Sequence, residues 1–77
     1  MKNKATVDCV AVWKRLAGGI SVEIRYEECV ASKLMSHNEF LNFVQEIGYL
    51  LRWPGVENIE VKLRLSKTVL ERHNLIC

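Results

Sequence analysis

The sequence predicts a small α+β domain of ββαβ(α) order: a three-stranded antiparallel sheet, strand order 2-1-3, with one main helix packed on one face. Three observations carry that class. Gly18-Gly19 separates two runs of alternating side chains, an apolar stripe of helical spacing follows Ser36, and residues 59–65 alternate between apolar and polar.

The first strand is expected from about Ala5 to Leu16, because Ala5, Val7, Cys9, Ala11 and Trp13 recur at every second position. The second, from about Ile20 to Val30, shows the stricter series Ile20, Val22, Ile24, Tyr26. Gly-Gly between them suits a type I′ turn, whose two central residues need positive φ. That turn sets Trp13 against Ile24 and Ala11 against Tyr26 on the core face. On the outer face it sets Lys14 against Glu23 and Val12 against Arg25. Carried further, the register wastes Cys9 against Glu28. A bulge at Glu27-Glu28 restores an inward Cys29 and brings it near Cys9.

Ser36-His37-Asn38-Glu39 has the form of a capping box, and Phe40, Phe43, Val44, Ile47, Leu50 and Leu51 continue it as one apolar stripe. Trp53-Pro54-Gly55 is the expected stop. The third strand runs from Val56 or Glu57 to Leu65, with Ile59, Val61, Leu63 and Leu65 inward. Ser66 to Cys77 reads as a short helix with a second box at Thr68 and Glu71, or as a fourth strand.

At 77 residues the chain is one domain, 1–77, with residues 1–4 a polar arm. Its 49% hydrophobic content excludes disorder but allows only a thin core. Lys and Arg number 11 against 9 Asp and Glu, a net charge of +2, where a dedicated nucleic-acid binder usually carries a larger, clustered excess. Three cysteines, with no Cys-x-x-Cys, point to reduced thiols and a cytoplasmic protein. Asp8 and Lys14-Arg15 interrupt the only signal-like stretch, and no run approaches the length of a membrane span.

No constellation points to catalysis. His73 and Cys77 share a helical face and, with Cys9 and Cys29, make a four-ligand metal site imaginable; structural zinc sites draw on tight Cys knuckles, so none is expected. A cysteine nucleophile needs exposure and a lowered pKa, which apolar strands deny Cys9 and Cys29. Glu27-Glu28, Glu57/Glu60 and Glu39/Glu46 read as solvated carboxylates, and Ala17-Gly18-Gly19-Ile20 lacks the spacing of a phosphate loop. The expectation is a protein that is not an enzyme and carries no cofactor and no metal.

The outer face of the sheet holds what remains. Lys14, Arg25, Lys62 and Arg64 project from it, the alternative reading being a nucleic-acid surface. Glu23, Glu27 and Glu60 share the face, Lys14–Glu23 and Arg25–Glu60 are natural pairs, and the aromatics point to the core. Val10 and Val12 sit on this wet side beside Arg25 and Glu23, with Leu16 and Leu41 elsewhere on the surface, and resemble a contact patch. Open sheet edges, that of the second strand above all, favour a homodimer. The preferred reading is a small protein-binding accessory or inhibitor protein, of the kind a phage or other mobile element encodes, acting through Val10, Val12, Glu23 and Arg25.

Overall fold

A four-stranded antiparallel sheet carries two helices on one of its faces. The computed structural model describes residues 6–48, 55 and 57–76. In chain order the elements are β1 (Thr6–Leu16), β2 (Gly19–Tyr26), β3 (Cys29–Met35), α1 (His37–Ile47), β4 (Val61–Ser66) and α2 (Lys67–Arg72). The sheet order is β3-β2-β1-β4. The α+β class and the antiparallel sheet stand as expected, and β4 lies beside β1. The strand count does not stand, because a further strand, β3, begins at Cys29, inside the expected second strand, and runs on to Met35 through residues expected to connect to the helix.

The chain turns at Glu27-Glu28, where a bulge was expected, and Tyr26 pairs with Cys29 across the turn. Inward positions change parity there, from Ile20, Val22 and Ile24 to Ala31 and Met35. A two-residue turn produces that change, so the misfit at Cys29 marks a hairpin. Glu27 takes a left-handed conformation, φ 54°, which a side chain with a Cβ adopts at a cost. Cys9 faces Leu63 on β4, and β2 separates it from Cys29.

The first hairpin also departs from its expected register. Leu16 pairs with Gly19, Trp13 with Val22 and Ala11 with Ile24, so the turn is Ala17-Gly18. Neither of those residues has positive φ; Gly19 has, at 147°. A Cβ on Gly19 would stand 2.5 Å from the Met35 carbonyl oxygen. Gly19 is therefore required by the approach of β3, not by the turn. The slip is two residues, so every side chain keeps its face.

Helix α1 begins as expected. Ser36 accepts from the Glu39 backbone N–H at 3.1 Å, and the Glu39 carboxylate accepts from the Ser36 N–H. It ends earlier than Trp53-Pro54-Gly55. Gly48 at φ 78° donates to the Val44 carbonyl at 3.1 Å, a left-handed C-cap. Leu50, Leu51, Trp53 and Pro54 lie outside the described residues, as do the 1–4 arm, Val56 and Cys77. Phe40, Phe43 and Val44 are buried against the sheet, with the Phe40 and Trp13 rings 5.0 Å apart. Each such side chain contributes about 1.5–3 kcal/mol by leaving water.

Strand β4 starts at Val61, several residues later than expected. Asn58, left-handed at φ 67°, donates to the Trp13 carbonyl at 2.8 Å, and Glu57 accepts from the Arg15 N–H at 2.7 Å. This clip breaks the alternation before β4, and Ile59, expected inward, is exposed. Beyond β4 the helical alternative holds. The cap of α2 is Ser66, accepting from Thr68 N–H at 3.0 Å, so Thr68 is inside the helix and does not begin a second box. Leu70 and Leu75 complete the core.

Candidate interaction face

The helices cover the sheet face that bears Trp13, Val22, Ile24 and Met35. The other face carries no element among the described residues. Alternation along the strands delivers Val10, Val12, Lys14, Glu23, Arg25, Lys62 and Arg64 to that one side, while Glu27 lies in the turn before β3. In rows across it, Arg25 stands opposite Val10, which stands opposite Lys62; Glu23 stands opposite Val12, Ser21 opposite Lys14, and Asp8 opposite Arg64. The expected opposition of Lys14 to Glu23 is lost to the register slip.

Charges on this face are largely answered within it. Arg25 bonds Glu60 through Nη2 and lies 3.2 Å from Glu23 through Nε, and the Glu60 bond pushes its pKa further up. Arg64 Nε donates to Asp8 at 3.0 Å. Among the described residues Lys14 and Lys62 make no ion pair. Val10 and Val12 are half-buried, whereas Leu16, Val30 and Leu34 of the same face are exposed, at 46, 62 and 53%. Val30 and Leu34 do not belong to the expected outer face, because the strand that bears them begins beyond the Glu27-Glu28 turn. Two hollows open along β1, one of about 390 Å³ lined by Val10, Lys62 and Arg64 among others, one of about 180 Å³ beside Val12 and Lys14.

The strand edges differ from expectation. Strand β2 is interior, so its edge is not available to a partner. The outermost strands are β3 and β4. On β3, Lys33 points to the core side, opposite Val22, and its ammonium reaches Glu39 of α1 at 2.5 Å. An inward lysine on an outer strand opposes strand addition. No protein-family model, curated protein or solved structure matches the chain. Function therefore has to be argued from the residues themselves.

The groups considered for chemistry are dispersed. Cys9 is a buried free thiol; burial pushes its pKa up, against a Leu65 backbone hydrogen bond that lowers it. Cys29 is disulfide-bonded, where reduced thiols were expected. His73 is buried between α1 and α2, its Nε2 2.6 Å from Glu46 and its ring edge-on to Phe43 at 5.0 Å. Arg72 holds the second oxygen of Glu46. Burial pushes His73 down, Lys33 and Arg72 act in the same direction, and Glu39 opposes them. Among the described residues no group of three or more His, Cys, Asp or Glu is placed to hold a metal, and no helix is long and apolar enough to cross a membrane.

Proposed function

We propose that this chain is a small protein-binding module without catalytic activity, and that it binds through the uncovered face of its sheet. The observation that supports this is the exposure of Leu16, Val30 and Leu34 on one face of the sheet, with two half-buried valines at its centre. Apolar side chains gathered on one uncovered face are what a protein partner removes from water. The four-strand face measures roughly 450 Å² at strand spacings of about 4.8 Å and a run of about seven residues. That is below the ~800 Å² per partner of a stable complex, so it fits a transient contact or part of a larger footprint.

Nucleic acid is the weaker reading. A single strand needs aromatic rings to stack on, and Trp13, Phe40 and Phe43 are in the core. Two of the four cations named for it are already neutralised, Arg25 and Arg64. Inhibition of a host factor by a mobile-element product remains the form of accessory role proposed.

The test compares the wild type with the Leu16→Glu, Leu34→Glu double variant, both immobilised, in extract of the source cell. A protein retained by the first and lost by the second, with circular dichroism unchanged, is the expected result. Identical retention by both overturns the proposal. So does salt-sensitive binding to DNA or RNA in place of protein, or a dimer by light scattering that the double variant dissociates.

A further inference from the structure

Arg25 lies on β2 and Glu60 lies just before β4, while β1 runs between those strands. The Arg25–Glu60 bond therefore crosses β1 on its outer side. At that level β1 presents Val10, opposite Arg25, and Val12, opposite Glu23. Three facts point to the Arg25 side chain as what shields these valines. The Arg25 Nε is out of water although the side chain as a whole is 41% exposed. That nitrogen stands 3.2 Å from Glu23 Oε2 yet makes no hydrogen bond. Val10 and Val12 are half-buried although no strand or helix among the described residues lies over them, while Leu16, Val30 and Leu34 of the same face are exposed. Arginine stems commonly shield apolar surface in this way.

Resting on the face reading above, we propose that Arg25 is a displaceable cover over Val10 and Val12, and that the partner is an acidic protein surface whose carboxylate takes Arg25 from Glu60 while its apolar side chains settle on the two valines. The cover is lightly held, since its two carboxylates are themselves solvent-exposed at 38 and 63% and exposed ion pairs contribute little. The covered state also leaves an N–H donor out of water without an acceptor, a deficit that a well-placed carboxylate relieves. Lys14 follows Val12 along β1 and Lys62 faces Val10 from β4, so the uncovered valines are framed by cations that make no ion pair among the described residues. The surface that complements this pattern is apolar at its centre and acidic at its rim.

The experiment uses two variants whose charge changes oppose each other. Glu60→Gln frees Arg25 and makes the chain more positive; Arg25→Ala removes the cover and makes it less positive. The probe is anilinonaphthalene sulfonate, an anionic dye that brightens on apolar surface, added to the folded protein. Both variants should brighten it severalfold over the wild type. A rise in Glu60→Gln alone is a charge effect and overturns the cover, as does no rise in either. In the extract assay, Lys14→Glu with Lys62→Glu should release the captured protein, and Glu60→Gln should retain it to higher salt. Capture indifferent to both overturns the acidic partner. If the Leu16/Leu34 variant retains everything while the dye still reports uncovering, the face reading fails and the cover stands. Face-dependent capture without any dye response has the opposite meaning.

Discussion

Alanine at Gly19 and alanine at Gly18 should have very different consequences, although the two residues adjoin. A Cβ on Gly19 would lie 2.5 Å from the Met35 carbonyl oxygen and 3.4 Å from a Leu34 methyl, and the residue's φ is 147°. The nearest atom is backbone of β3, so relief requires that strand to retreat and loosens Ile20–Met35, the last pair of the ladder. Met35 is fully buried, and its withdrawal leaves a void beneath the sheet. Overpacking costs about 1–3 kcal/mol and the backbone strain adds about 1–3, together roughly 2–5 kcal/mol. A 77-residue domain has about 4–12 kcal/mol in total at roughly 0.05–0.15 per residue. A Cβ on Gly18 meets only a Leu34 methyl at 3.6 Å, with no positive φ. Gly18→Ala should therefore be neutral or stabilise by about 0.4–1 kcal/mol. Urea unfolding followed by far-UV circular dichroism measures both. With an m-value of about 1 kcal/mol/M, Gly19→Ala should lower the midpoint by about 2 M or more. Equal losses at the two sites would restore the Gly18-Gly19 turn and refute the close-approach account.

Glu27→Gly should raise stability by about 0.5–1 kcal/mol in the same assay, because relief of left-handed strain, about 1–2, exceeds the added chain entropy of glycine. Lys33→Met should leave the fold intact and increase association in light scattering, since it removes the inward charge from the outer strand β3; unchanged scattering contradicts that role. His73 is held below its ordinary pKa, chiefly by burial, so as pH falls the unfolded chain takes up the proton first. Stability should be level above about pH 7 and decline below about 6.5. His73→Phe, which retains an aromatic ring against Phe43, should flatten that decline between pH 7 and 5, and an equally steep one excludes His73 as its source.

What was legible in the sequence is what local chemistry determines. The Ser36–Glu39 box and the Phe40, Phe43, Val44 stripe act within one helix, and the alternations of β1 and β2 act within one strand. Face assignment survived a wrong register because side chains repeat every two residues and the slip was two. The Glu27-Glu28 turn was not legible, since turn signals rest on Gly, Asn and Asp and this turn uses none of them. Gly48 carries the signal for the helix end, and Trp53-Pro54-Gly55 carries a louder stop further on. Asn58 carried a signal too: asparagine tolerates the left-handed conformation that ends an alternation.

The valines show where a face assignment stops being a statement about exposure. Alternation places Val10 and Val12 on the wet side of β1, and there they are. On the proposed cover, access to them depends on Arg25, from the neighbouring strand, and on Glu60, 35 residues further along the chain. A pair anticipated as simple charge neutralisation proves to be a span, because β1 lies beneath it. The same span explains why the sheet remains presentable to water with a valine pair at its centre. On the cover proposed above, the charged group that shields those valines is also the one that a carboxylate-bearing partner moves, so access to the face turns on a single exposed ion pair.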